Sequence, residues 1–147
     1  MEIIILDINK KDKLLLKKQK KEVINCANLI ASGRNIEIIE SIENYDIKLR
    51  KIYKNNYPVY KKISFRDLSI QKLSTEIRFD TGDTIVLPYF NNTKYWVKIV
   101  IGDKEEFLKH MFQKGYFNSL SIICPNKKKI YDIELGEQEY EIRICNC

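Results

Sequence analysis

Residues 94–115, KYWVKIVIGDKEEFLKHMFQKG, decide the fold, because an alternating pattern changes into a helical one inside this stretch. One side of the alternation consists of Tyr95, Val97, Ile99 and Ile101, and the other of Lys94, Trp96 and Lys98. Such alternation predicts a strand. Asp103 followed by Glu106 is typical of a capping box that starts a helix. The helix is expected to bury a stripe and to end at Gly115, the stripe being Phe107, Leu108, Met111 and Phe112.

The rest of the chain divides into runs of the same two kinds. Apolar or alternating runs bounded by turn residues predict further strands at Glu2–Ile8, Asn35–Ile42, Glu76–Asp80, Ile85–Phe90, Ser119–Cys124, Ile130–Leu135 and Glu139–Cys145. Helical spacing predicts further helices at Lys10–Ser32 (ended by Gly33), Asp46–Asn55 and Phe65–Leu73 (started by Ser64). We therefore expect a single α+β domain over residues 1–147, with a mostly antiparallel sheet and two to four helices.

The composition excludes several classes of protein. The 147 residues are 44% hydrophobic and 31% charged, with 5 Gly and 3 Pro, which excludes collagen-like and intrinsically disordered chains. No apolar run approaches the roughly 18 residues that span a bilayer, and an acid, Glu2, stands where a signal peptide carries basic residues. We expect a cytoplasmic globular protein whose core needs neither a metal nor a disulfide.

The net charge of +6 is unevenly distributed. Residues 1–75 hold 16 Lys and Arg against 9 Asp and Glu, whereas residues 76–147 hold 10 against 11. The chain thus has a basic N-terminal half and a neutral-to-acidic, strand-rich C-terminal half. A basic half attracts nucleic acid or an acidic protein through its field.

The stretch from Lys48 to Arg66 combines cations with aromatic residues and contains no acid. Its candidate partner-binding residues are Lys48, Arg50, Lys51, Tyr53, Lys54, Tyr57, Tyr60, Lys61 and Lys62. Cations neutralise phosphates and tyrosines stack on bases, as in a single-strand binder. The same composition suits an anionic protein surface. A solvated basic face whose aromatic rings point inward is the third interpretation.

The acidic run Glu137, Glu139 and Glu141 is the second candidate partner-binding surface. Nucleic-acid mimics use a similar set of charges against basic enzymes. Acids on a terminal edge strand also prevent pairing with other chains, and this structural explanation is the commoner one.

Catalytic and metal-binding groups are few in the sequence. The single histidine, His110, lies on a helix flank, where histidines are usually solvated. Cys145 and Cys147 form the one close cysteine pair, which Cys26 or Cys124 would complete as a four-sulfur metal site, but paired CxxC motifs are lacking and free thiols are the favoured interpretation. We predict no catalytic, cofactor-binding or metal-binding residues.

A metal-dependent nuclease is a distant alternative. Glu76, Asp80 and Asp83 cluster around the first predicted hairpin, where carboxylates would hold Mg²⁺. Asp at a hairpin tip is also chosen for its turn chemistry, and we favour that explanation.

About half of the chain resembles small bacterial toxin-immunity proteins. The similarity rests on Thr81-Gly82-Asp83, the capped helix Asp103–Gly115 and the strands from Tyr116 to Arg143. The resemblance implies an intracellular protein that binds one cognate toxin domain and blocks its active site or substrate path. Because the sequence offers few catalytic groups, we expect this protein to be non-enzymatic. The alternative function is binding of single-stranded RNA or DNA through residues 48–66.

Overall fold

The computed structural model describes residues 2–31, 36–54, 58–64, 69–90, 93–113 and 119–146, and within them seven strands form one antiparallel sheet. The strands are β1 (Ile36–Ile39), β2 (Lys61–Ser64), β3 (Thr84–Leu87), β4 (Trp96–Val100), β5 (Ser119–Cys124), β6 (Lys129–Leu135) and β7 (Glu139–Asn146). The helices are α1 (Glu2–Ala31), α2 (Glu43–Tyr53), α3 (Ile70–Glu76) and α4 (Lys104–Leu108). The predicted α+β class with a mostly antiparallel sheet is confirmed.

The strand order is β1-β4-β3-β5-β6-β7-β2. Hairpins and a meander in the C-terminal half build the centre, and both edge strands come from the N-terminal half. Ile36 of β1 lies opposite Ile99, and Lys61 of β2 lies opposite Ile142. The basic and acidic halves of the chain therefore contribute to the same sheet.

One face of the sheet carries the larger core. It is covered by α1, α3 and α4, which bury Val23, Ala27, Leu73 and Phe107 against the strands. The predicted alternation in β4 is confirmed, since Val97 and Ile99 belong to this core whereas Trp96 belongs to the cluster on the opposite face.

Among the helices of the described ranges, α2 is the one that covers the other face. Leu49 and Ile52 of this helix are fully buried in a second cluster formed by the sheet residues Val86, Trp96, Ile123, Ile130 and Cys145. Both faces of the central strands are apolar, as expected for strands that are buried on two sides. An 11-residue helix is only about 16 Å long, so part of this face extends beyond it.

The predicted strand Glu2–Ile8 is wrong, because α1 begins at Glu2 and runs to Ala31. No Gly or Pro separates the apolar run from the predicted helix that follows it. Extending an existing helix costs less free energy than ending it and starting another element, and a short apolar run does not distinguish strand from helix by its period. Although α1 has 30 residues, no helix in the described part of the chain is long and apolar enough to cross a membrane.

The predicted strand Glu76–Asp80 is also wrong. Residues 70–76 form α3, which starts at Ser69, whose side chain accepts a hydrogen bond from the Lys72 N–H at 3.1 Å. Ser64, the predicted start of this helix, lies in β2 instead, and residues 65–68 fall outside the described ranges. The strand β2 itself was not predicted, because one buried residue, Ile63, among lysines gives no clear alternation.

The capped helix after β4 forms at its predicted start. Asp103 Oδ1 accepts a hydrogen bond from the Glu106 N–H at 3.1 Å, and the predicted stripe is buried, with Phe107, Leu108, Met111 and Phe112 all in the larger core. The α-helix ends at Leu108 and continues as a wider π-helical turn over Lys109–Gln113. Gly33 and Gly115, the predicted helix ends, lie outside the described residues.

Replacing Asp103 by Ala is expected to lower the free energy of unfolding by about 1 kcal/mol, because the first turn of α4 loses its side-chain acceptor. Asp103→Asn keeps an acceptor at the same place and should remain within a few tenths of a kcal/mol of the parent protein. Urea unfolding followed by circular dichroism measures both. Equal stability of the two variants would show that the cap does not contribute.

Candidate functional site

The candidate site lies on the sheet face that α2 covers. It comprises the two flanks of α2 and the neighbouring side chains of β5, β6, β7 and β2. We call this surface the α2 face. Two surfaces that the sequence analysis treated separately meet here, since Tyr53 and Lys51 lie on α2 while Lys62, Glu139 and Glu141 lie on the paired strands β2 and β7.

A chain of hydrogen bonds ties the last residue of α2 to the sheet. Ser121 donates its single hydroxyl proton to Asp132 Oδ1 at 3.0 Å. The Tyr53 hydroxyl lies 3.0 Å from Ser121 Oγ, so Tyr53 must be the donor in that contact. The helix end is thereby fixed by a polar link in addition to Leu49 and Ile52.

Asp132 is a buried acid with a raised pKa. Its exposed fraction is 2%, and burial, followed by the neighbouring charge of Glu134, raises its pKa to about 7. Oδ2 of Asp132 has no donor within reach among the described residues. The charge of Glu134 and its side-chain hydrogen bonding both favour the protonated form of Asp132.

Arg143 holds the acids that surround Asp132. Its guanidinium contacts Glu134 at 2.9 Å and Glu141 at 3.3 Å, and the register places it directly opposite Asp132. The Arg143 side chain is 10% exposed, so these ion pairs are partly shielded from solvent. Arg143 therefore balances part of the negative charge of β7, and Glu141 has a structural role as its ion-pair partner.

The structure changes the interpretation of the acidic run. β7 is not an edge strand, because β2 pairs with it, and protection of a free edge at β7 is therefore a wrong explanation for its acids. Lys62 Nζ lies 3.6 Å from Glu139 Oε1. Glu137 is exposed in the turn before β7.

The basic and aromatic residues predicted to bind a partner do not form one surface: some make contacts within the fold, and others are exposed. Lys48 donates to the backbone oxygen of Asn146 at 3.3 Å, and Arg50 pairs with Asp46 at 2.9 Å. Lys51, Lys54 and Tyr60 are exposed. Lys61 faces the larger core side of the sheet and lies 3.9 Å from Glu76. Tyr57 lies outside the described residues.

A second group of exposed lysines lies on α1 and does not adjoin the α2 face. α1 packs on the larger core and α2 on the second cluster, so the sheet separates them. The exposed lysines of α1 include Lys17, Lys18 and Lys21.

The acids of the nuclease alternative do not assemble as a metal site. Lys127 lies 2.9 Å from Asp80 and 3.9 Å from Asp83. It lowers the pKa of Asp80. Asp83 Oδ2 accepts the backbone N–H of Asp80 at 2.9 Å, as the turn interpretation expects. Across the ranges that the structure describes, no three His, Cys, Asp or Glu side chains are grouped to hold a metal ion.

The described cysteines do not converge. Cys124 lies in the larger core and Cys145 in the second cluster on the opposite face. Cys26 packs half-buried on α1, and burial raises the pKa of its thiol. Cys147 lies outside the described residues.

Four site residues were missed in the sequence analysis: Tyr89, Ser121, Asp132 and Arg143. Asp132 carried a usable signal, since an acid stands at a position of the apolar run of β6 where a strand buried on both faces has an apolar residue. Tyr89 had no such signal, because its place beside Asp46 depends on a contact between residues 43 positions apart.

Comparisons of the chain with protein-family models, curated proteins and solved structures give no match.

Asp132 makes the stability of the protein pH-dependent. Its folded-state pKa of about 7 lies above its ordinary value of 3.8, so between these values the folded protein holds a proton that the unfolded chain releases. Asp132 should therefore lower the free energy of unfolding by roughly 1 kcal/mol per pH unit as pH rises from about 4 to about 7. Asp132→Asn, which keeps an acceptor and a donor, should remove this dependence and be more stable than the parent at pH 8.

Urea unfolding at pH 5, 6, 7 and 8 measures the slope. Glu137→Gln, at an exposed position, is the matched control and should retain the slope of the parent. Parallel pH profiles for the parent and Asp132→Asn would contradict a raised pKa of Asp132.

Proposed function

We propose that this chain is a non-enzymatic protein-binding module of the toxin-immunity type, whose interface centres on Tyr53, Tyr89 and Arg50 at one flank of α2. The observation that carries the proposal is a pair of tyrosines that are exposed and yet held in place. Such residues are the commonest energetic centres of protein interfaces.

Each tyrosine is fixed at its hydroxyl or its ring. Tyr53 is 47% exposed, and its hydroxyl donates to Ser121. Tyr89 is 40% exposed, its hydroxyl donates to Asp46, and its ring lies edge-to-face against Trp96 at 5.6 Å between centroids. Because neither ring must be ordered on binding, the entropic cost of association is reduced.

Tyr89 also has an unusual backbone conformation. Its φ of 45° lies in the left-handed region, which is a costly conformation for an aromatic residue and is common for glycine. A tyrosine at a position with this backbone cost supports a role of its side chain in binding, beyond a role in stabilising the fold.

The charge of this flank favours an acidic protein partner. Arg50 is exposed and pairs with Asp46, the residue that also accepts from the Tyr89 hydroxyl. Lys54, the residue directly after α2, is exposed as well. The acids of β7 are partly balanced by Arg143 and Lys62. Binding of nucleic acid along one track is disfavoured, because the sheet separates the lysines of α1 from those of α2.

The resemblance of residues 81–83, 103–115 and 116–143 to toxin-immunity proteins gives the kind of partner. In this proposal the α2 face covers the active site or the substrate path of one toxin domain. The basic flank of α2 then meets acidic groups of that domain.

Tyr89 replaced by the photo-crosslinking residue p-benzoylphenylalanine should give one discrete protein adduct in the cell that naturally encodes the chain, and the adduct should resist nuclease. The same residue placed at Lys18, exposed on the opposite side of the sheet, should not give it. Irradiation followed by mass spectrometry identifies the adduct. Absence of a protein adduct above the Lys18 control, or an adduct that nuclease removes, would contradict the proposal.

The purified adduct partner then gives the quantitative test. Tyr53→Ala and Tyr89→Gly should each weaken binding at least about tenfold, as expected for residues at the centre of an interface. Tyr89→Gly relieves the left-handed conformation but removes the ring contact with Trp96 and the hydrogen bond to Asp46. Urea unfolding of this variant therefore accompanies the binding measurement, and the loss of affinity is counted only where the variant is folded. Expression of the partner alone should arrest growth, and the parent chain should relieve the arrest more than Tyr89→Gly does.

A further inference from the structure

The opposite flank of α2 borders a groove, which we call the α2 groove. It consists of two adjoining cavities of about 670 and 520 Å³ that share Ile42, Tyr45 and Pro125. At 3.6 residues per turn, Asn44, Lys48 and Lys51 project toward this flank, whereas Asp46, Arg50 and Tyr53 project toward the other. The α2 groove is therefore separate from the tyrosine surface, although both belong to the α2 face.

The floor of the α2 groove is apolar. Ile42 and Pro125 line both cavities, and Ile39 and Val86 line the smaller one. Tyr45 is the one aromatic side chain among the lining residues. A floor of aliphatic side chains and proline accepts an apolar side chain of a peptide, whereas single-stranded nucleic acid requires aromatic rings on which successive bases stack.

The rim of the α2 groove is basic. Lys48, Lys51 and Lys128 border the larger cavity, and Lys98 borders the smaller. Of the lining residues, Glu40 alone is acidic. Lysines on three separate elements, α2, β4 and the turn before β6, thus surround one apolar floor.

Lys128 occupies its place on the rim at a conformational cost. Its φ of 54° and ψ of 44° lie in the left-handed region, where glycine and asparagine are preferred. The turn is closed by a hydrogen bond of 3.1 Å from the Lys128 N–H to the Pro125 oxygen. Glycine would satisfy this turn better than lysine does.

We infer that the α2 groove binds an acidic segment of the protein partner, with an apolar side chain of that segment on the floor and flanking carboxylates on Lys48, Lys51 and Lys128. This inference rests on the proposed function and adds to it the chemistry of a second contact. The charge complementarity of a basic rim and an acidic segment selects the occupant, and the apolar floor gives it an anchor.

The probe for the test is the labelled peptide Asp-Glu-Leu-Asp-Glu-Phe-Asp-Glu, with its Asn and Gln analogue as the uncharged control. Titration into the full chain, followed by fluorescence anisotropy and by amide NMR shifts, should place the acidic peptide at residues 42–51 and 125–128. The analogue should bind at least about tenfold more weakly, because the ion pairs at the rim are lost.

Two double substitutions that change the net charge equally distinguish the effect of the rim lysines from the effect of the protein's overall positive charge. Lys51→Glu with Lys128→Glu should weaken peptide binding about tenfold or more. Lys17→Glu with Lys18→Glu, on α1 across the sheet, should change it less than about twofold at 0.15 M salt, where fields are screened beyond about 8 Å. Equal effects of the two pairs would overturn the inference.

Lys128→Gly gives an independent readout, since it should raise the denaturation midpoint while lowering affinity for the peptide. Shifts that map away from the α2 groove, or an oligouridylate that binds there while the peptide does not, would also overturn the inference.

Failure of this inference is distinguishable from failure of the proposed function. A Tyr89 adduct with a protein partner would stand even if the peptide does not bind, and peptide binding without any protein adduct would refute the wider proposal alone.

Discussion

The central strands of this protein are apolar on both faces, and this constraint governs how the helices are arranged. Three helices cover one face and bury the larger core. On the other face α2 alone supplies Leu49 and Ile52. Because this helix is short, the strands beside it must present side chains that tolerate partial contact with water. The exposed tyrosines and the partly exposed Glu134 and Glu141 lie at this boundary, whereas Asp132 and Arg143 on the same strands are buried.

The charges at that boundary are organised by strand pairing. The register places Arg143 opposite Asp132 and Lys62 opposite Glu141, so the basic and acidic stretches face each other instead of forming two independent surfaces. What remains unbalanced is the basic character of α2 and its groove. On this face of the sheet, the positive charge that no acid balances therefore lies beside the apolar floor of the α2 groove and the two tyrosines.

The sequence was sufficient where local rules determine structure. The alternation in β4, the Asp103 cap and the buried stripe of α4 each depend on residues close together in the chain, and each is confirmed. The predicted strand Glu2–Ile8 was wrong because the helix continues through it. In the predicted strand Glu76–Asp80, Glu76 is the last residue of α3, and residues 77–80 lie in neither a helix nor a strand. The candidate site depends on pairings between distant residues, such as Tyr53 with Ser121, and no local pattern specifies which strand β2 joins.

The position of β2 also has a consequence for synthesis on the ribosome. Its partner residues, 139–142, follow residues 61–64 by about 80 positions. At translation rates of 5–20 residues per second, the strand waits roughly 4–16 s before the backbone groups that it pairs with have been made. During that interval its lysines keep the nascent segment hydrated and repel other copies. The charges that border the finished sheet thus also protect the unfinished one.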